Sequence, residues 1–187
     1  SFSDQNSPTS GFTGTPGVTY SLEWRISNGV CASSASTVSI QLDQAPTVSN
    51  AGLPQTICGT SATLAANAAV VGTGVWNILS GTGGTVVTPS SPTSVFNGTA
   101  GQTYVLEWRI TNGSVCAPSV STVTIKLDQS PTVSNAGTPQ VVCGPFTNLA
   151  ANAPTVGTGQ WSVLSGAGGS FSDQNSPTSG FTGTPGV

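Results

Sequence analysis

Few residues in this chain are able to carry chemistry. Its 187 positions hold six acids, three basic residues, four cysteines and no histidine. A Ser-His-Asp or Cys-His relay needs an imidazole to take up and return the proton, so neither can be assembled. Carboxylate pairs of the glycosidase kind need two acids flanking one cleft. Here the acids fall as Asp4 and Asp173, Glu23 and Glu107, Asp43 and Asp128, the same positions in successive copies of a repeat. Recurrence of that sort reads as structural. The cysteines form no CxxC pair and have no histidine to join them, which argues against a metal site. Gly81-Thr82-Gly83-Gly84 is glycine-rich but lacks the Lys-Ser/Thr of a phosphate cradle, and it reads as a turn. Neither an enzymatic activity nor a cofactor is expected.

The charge pattern narrows the partners. Charged residues make up 5% of the chain, against about 25% in ordinary soluble proteins. Serine and threonine fill 54 positions and glycine and proline another 37, so neutral hydroxyls and turn formers supply the surface. Three cations cannot build the basic stripe that binds nucleic acid. The most apolar stretch, Leu64 to Val71, is interrupted by Asn67 and falls short of the roughly 18 residues of a membrane span. Polar Ser1-Phe2-Ser3-Asp4 does not read as a signal peptide.

Internal repetition sets the architecture. Leu22-Glu23-Trp24-Arg25-Ile26 returns as Leu106-Glu107-Trp108-Arg109-Ile110, an offset of 84 residues. After the extra Ser114 the offset is 85, so Pro46 to Gly52 match Pro131 to Gly137, Cys58-Gly59 match Cys143-Gly144, and Trp76 matches Trp161. The unit is a module of about 85 residues: 1–44 form the last part of one, 45–129 a complete one, and 130–187 the first part of a third. Residues 1–18 are identical to residues 170–187, an offset of 169. The chain therefore reads as a window on a longer array whose larger period is a pair of modules.

Within a module, period-two alternation between turn residues predicts short antiparallel strands and no helix. Tyr104, Leu106, Trp108 and Ile110 point one way, and Val105, Glu107 and Arg109 the other. Val123, Ile125 and Leu127 continue the inward face after the Asn112-Gly113 turn. Tyr20 to Ile26, Asn28-Gly29, Val38, Ile40 and Leu42 repeat the same hairpin, while Ala62 to Ala66 and Val75 to Leu79 supply earlier strands. About seven strands per module give an all-β fold, a small antiparallel β-sandwich. Trp24, Trp76, Trp108, Trp161, Tyr20 and Tyr104 are its expected core.

Burial alone leaves so small a sandwich marginal, and cysteine is the expected reinforcement. Cys31 and Cys116 follow the Asn-Gly turn, and Cys58 and Cys143 precede the Ala62-type strand. Such spacing favours disulfides and an oxidising compartment. In an immunoglobulin-like topology the two loops lie at opposite ends, so each cysteine would bond to a neighbouring module beyond this window. A bent first strand would instead allow Cys58–Cys116 within the complete module. Both pairings stand open. Glu23 with Arg25, and Glu107 with Arg109, are spaced for ion pairs along one strand face. Only Lys126 offers the complete module a lysine to guard a sheet edge, which leaves lateral self-association open.

The ordered run Thr56-Ile57-Cys58-Gly59-Thr60-Ser61-Ala62-Thr63-Leu64, Gly72-Thr73-Gly74-Val75-Trp76, then Tyr104 to Gly113 and Cys116 resembles the PKD-like, immunoglobulin-like repeats of very large Bacteroidetes surface proteins. The resemblance implies tandem sandwiches of a secreted cell-surface adhesin or extracellular filament, with no catalytic residues to carry over. The expected role is a stiff, disulfide-reinforced spacer whose partners are neighbouring modules of the same or identical chains. Two alternatives differ in kind. A secreted carbohydrate- or protein-binding module needs an exposed aromatic platform or cleft. A subunit that polymerises head-to-tail by strand complementation would use residues 1–44 to complete residues 130–187.

Overall fold

The computed structural model describes residues 1–186; Val187, the last residue of the expected 130–187 segment, lies outside the described residues. Every regular element among the described residues is a β-strand. The chain packs as two compact units, Ser1–Leu127 and a second that begins at Asp128.

In the first unit, β1 (Thr19–Ile26) and β2 (Ser34–Gln41) form an antiparallel hairpin with Trp24 opposite Ser36. Seven strands then follow between residues 45 and 128: β3 (Gln55–Cys58), β4 (Ser61–Thr63), β5 (Thr73–Ser80), β6 (Thr85–Val86), β7 (Val95–Asn97), β8 (Gln102–Thr111) and β9 (Ser119–Asp128). They form two sheets, one of order β3-β9-β8-β5 and one of order β4-β7-β6. This arrangement is consistent with a β-sandwich.

The alternation along β8 and β9 decides what lies between the sheets. Successive strand residues face opposite ways, and every second one here is large and apolar. Tyr104 stands opposite Ile125 and Leu106 opposite Val123, and all four are buried. On the other flank β5 pairs with β8, so Trp76 lies opposite Trp108. Ala62 and Phe96 face each other across β4 and β7 and close the core from the second sheet. Strand β4 is shorter than the Ala62 to Ala66 alternation predicts. Past Thr63 the backbone leaves the ladder to bond the loop before β7, with Leu64 N donating to Ser94 O and Ala66 N to Pro92 O.

The second unit forms only part of this pattern. Strands β10 (Phe146–Asn148), β11 (Ser170–Phe171) and β12 (Gly180–Thr182) make a sheet of order β10-β12-β11, the counterpart of β4-β7-β6. Residues 140–143 and 158–165, the counterparts of β3 and β5, are not strands. The reason is the missing ladder. In the complete set β3 and β5 bond only to the β8–β9 hairpin, and the described residues from Asp128 onward contain no such hairpin. The same logic holds at the start of the chain. There β1–β2 stands without a β3 or β5 beside it, and only a Phe2–Phe12 bridge stands in for the second sheet.

Two glycines show how closely β5 and β8 approach within their sheet. Gly72 has a φ of +90°, and a Cβ there would fall 2.3 Å from the Thr111 carbonyl oxygen. Gly74 has ordinary backbone angles, but its Cβ would lie 2.2 Å from Cζ2 of Trp108. Gly74→Ala should therefore push the indole out of its seat and destabilise this sandwich by at least 1–3 kcal/mol, the usual cost of overpacking. A chemical-denaturation midpoint unchanged from the parent chain would contradict that packing.

Candidate functional site

The groups that hold the core are the best-defined polar and aromatic constellation in the molecule. Trp76 and Trp108 meet with ring centroids 5.1 Å apart and a 45° tilt. The Trp108 indole N–H donates to the Asn67 carbonyl at 3.0 Å, and the Trp76 indole N–H donates to the Ser91 carbonyl at 3.1 Å. Asn67 is itself pinned: its Oδ1 accepts from the Asn50 amide at 2.8 Å and its Nδ2 donates to the Val48 carbonyl at 2.9 Å. Ser49 Oγ donates to the Trp108 carbonyl, and the Ser49 amide donates to Ser119 Oγ at 2.8 Å. Behind this pair Phe96 and Tyr104 pack edge to face at 4.8 Å. The Tyr104 hydroxyl donates to the Thr82 carbonyl and accepts from the Thr99 amide, both at 2.8 Å. An unpaired polar group in such a core would cost about 1–3 kcal/mol; among the described residues no buried side-chain polar atom lacks a partner.

The incomplete segments repeat these fixtures. Asn152 Oδ1 accepts from the Asn135 amide at 2.7 Å, its Nδ2 donates to the Val133 carbonyl at 3.0 Å, and the Trp161 indole N–H donates to the Ser176 carbonyl at 2.9 Å. The Tyr20 hydroxyl accepts from the Thr15 amide at 2.7 Å. Hydrogen bonds from the Thr15 side chain and amide favour the phenolate and lower the Tyr20 pKa.

What differs is burial. Trp108 is 1% exposed and its counterpart Trp24 is 41% exposed. Ile110 and Ile26 stand at 0% and 61%, and Val123 and Val38 at 2% and 56%. Trp24 was expected in a core and is not in one, because no opposing strands cover β1–β2. Tyr20 and Trp161 are half-buried for the same reason, whereas Trp76, Trp108 and Tyr104 are buried. Each incomplete segment has an open hollow. Asn135, Asn152, Gly159, Trp161 and Pro177 line a cavity of about 200 Å³. Phe2, Phe12, Leu22, Trp24, Val38 and Ile40 line a groove beside β1–β2.

The cysteines do not reinforce the core from within. Cys31, Cys116 and Cys143 are free thiols, so the Cys58–Cys116 pairing is not formed. Geometry explains why. The Gly98 amide donates to the Thr60 carbonyl at 2.8 Å, which sets the turn after Cys58 beside the start of β8. Cys116 lies in the loop at the far end of that strand. Ten residues of β8 at about 3.3 Å each separate the two ends by roughly 30 Å.

The charged residues occupy the outer face. Arg25 Nε meets Glu23 Oε1 at 3.0 Å, and Arg109 Nη1 meets Glu107 Oε1 at 3.8 Å. Exposed pairs of this kind contribute about 0–1 kcal/mol. Lys126 sits on β9, inside the order β3-β9-β8-β5, so it guards no edge. The edge strands of that sheet are β3 and β5, and neither carries a charged residue. Among the described residues no three histidine, cysteine or acidic side chains gather as a metal site, and no helix is long and apolar enough to cross a membrane.

Asn67 and Ser49 were not singled out by composition or alternation. Their signal was recurrence, since Pro46 to Gly52 and Leu64 to Ala68 return unchanged in type as Pro131 to Gly137 and Leu149 to Ala153. Asn67→Ala should remove two backbone partners beneath the Trp108 seat and cost about 1–3 kcal/mol, read as a lower denaturation midpoint with the Trp108 fluorescence shifted to the red. No protein-family model matches the chain, and no curated protein is found to be similar to it.

Proposed function

We propose that the chain is a stretch of tandem immunoglobulin-like, PKD-like β-sandwich modules of about 85 residues, cut as 1–44, 45–129 and 130–187, from an extracellular fibre or cell-surface adhesin stalk. Its work is mechanical: to hold distance and resist extension. The supporting observation is the junction between the first hairpin and the complete module. Asp43-Gln44-Ala45-Pro46 is short and Pro-containing, unlike a flexible Gly/Ser tether. The loop after β8 also reaches onto it, with Asn112 Nδ2 donating to the Gln44 carbonyl at 2.8 Å. A module tied to its own linker cannot swivel freely about it.

The same loop carries Cys116, so a thiol stands at the junction, while Cys58 stands at the opposite end of the module. Oxidation outside the cell would join each to the neighbouring module along the array. In residues 45–129 Trp76 and Trp108 are buried and offer no platform for a sugar, which favours the spacer there, whereas Trp24 and Trp161 line open hollows in the two incomplete segments.

Electron microscopy of the native material should show thin, stiff rods. Single-molecule stretching should give a regular sawtooth, each event releasing roughly 30 nm of chain, from about 3.5 Å per extended residue and 85 residues per module. Compact isolated particles, or extension without discrete events, would exclude a load-bearing array.

A further inference from the structure

Three asparagines in the chain precede a glycine: Asn28, Asn97 and Asn112. In that dipeptide the glycine amide nitrogen can turn onto the asparagine side-chain carbonyl, because no Cβ stands in the way. The fold treats the three differently. Asn97 ends β7 and is paired with both Ser61 and Thr85. The Gly98 amide donates to the Thr60 carbonyl at 2.8 Å, and a Cβ on Gly98 would fall 2.7 Å from the Tyr104 ring. That nitrogen is held. Asn28 lies exposed between β1 and β2, with nothing within 4 Å of a Cβ on Gly29. Asn112 follows β8, and Gly113, Ser114 and Val115 after it are exposed. Gly113 has a φ of +65° and belongs to a turn rather than a ladder.

Asn112 differs from Asn28 in what it touches. Its Nδ2 donates to the Gln44 carbonyl at 2.8 Å. Asp43 stands beside the same turn, with Oδ2 3.4 Å from where a Cβ on Gly113 would lie. The other Asp43 oxygen accepts from Gln41 Nε2 at 2.7 Å, which fixes the carboxylate. The linker therefore shows this turn a carbonyl oxygen and a negative charge. An amide donor suits that surrounding, and a second carboxylate would not.

We infer that Asn112 is a site of self-deamidation and that its conversion releases the linker at residues 43–46. Hydroxide takes the Gly113 amide proton, and the nitrogen bonds to Asn112 Cγ. The Cγ–Nδ2 bond then breaks, and Nδ2 takes a proton from water and leaves as ammonia. Water adds to one carbonyl of the five-membered imide and opens it, giving aspartate or isoaspartate. No electrons are transferred, and water is the only co-reactant consumed. The donor to Gln44 is lost. In its place stands a carboxylate, ionised at neutral pH, facing the Gln44 oxygen and the Asp43 charge. Asn112 lies past Ile110, the last buried residue of β8, so the sandwich keeps its core while an attraction at the linker becomes a repulsion. The inference uses the hydrogen bond that supports a stiff junction but not the extracellular role, so its failure leaves the rod reading standing.

The full chain, aged in warm, mildly alkaline buffer, should accumulate aspartate and isoaspartate at Asn112 and Asn28 in peptide maps. Asn97 should convert roughly tenfold more slowly, since its strand must open first. Nicking within 43–46 by a broad-specificity protease reports how often the linker opens. Asn112→Asp should be nicked there about fivefold faster than the parent, the worth of one lost hydrogen bond, whereas Asn28→Asp should match the parent. Adding Asp43→Asn to Asn112→Asp should bring nicking most of the way back. The deamidated fraction of aged parent chain, separated by ion exchange, gives the same reading without any substitution. Asn112 still intact where Asn28 has converted overturns the proposed site. Deamidated chain and Asn112→Asp nicked no faster than the parent overturn the release, and no recovery on adding Asp43→Asn overturns the repulsion.

Discussion

One hairpin governs the fold. Strands β3 and β5 have no ladder partner except β9 and β8, and the two largest fully buried side chains, Trp108 and Tyr104, stand on β8 itself. Where the hairpin is present, four strands align and an indole sits on a glycine with its N–H satisfied. Where it is missing, between Asp128 and Gly186, the flanking segments lie outside any sheet although their sequences match β3 and β5 closely. Strand formation in these segments is thus set by pairing rather than by local propensity, as is usual for sheets. The hydroxyl-rich stretches between them have little burial of their own to organise them.

Much of this was legible in the sequence. The inward alternation of Tyr104, Leu106, Trp108 and Ile110, the seven strands, the absence of helix and the Glu-Arg pairs all follow from period two and from turn residues, and the structure agrees at each of those residues. The fate of Trp24 was not legible, because its own segment is nearly the same as that of Trp108. The difference lies in strands distant in the sequence, β4 and β5, that cover Trp108 and have no counterpart beside Trp24. Nor did alternation reveal Asn67, whose role depends on both side-chain atoms reaching backbone groups 17 and 19 residues earlier. The cysteine spacing left both pairings open; that Cys58 and Cys116 fall at opposite ends of β8 needed the Gly98–Thr60 bond to be seen.

The junction at Gln44 and the uncharged edge at β5 describe two different directions. Along the chain, a side chain of the following module grips the linker, so bending there must break a hydrogen bond or move the loop after β8. Across the chain, β5 presents backbone groups with no charged residue to repel a neighbour.

The sparseness of charge carries its own consequence. Two ion pairs, Glu23 with Arg25 and Glu107 with Arg109, lie at the surface, and the core is held by indoles, aliphatic chains and neutral hydrogen bonds. Salt screens exposed pairs of that kind and leaves apolar burial in place. The integrity of such a core is scarcely written in the language of ions.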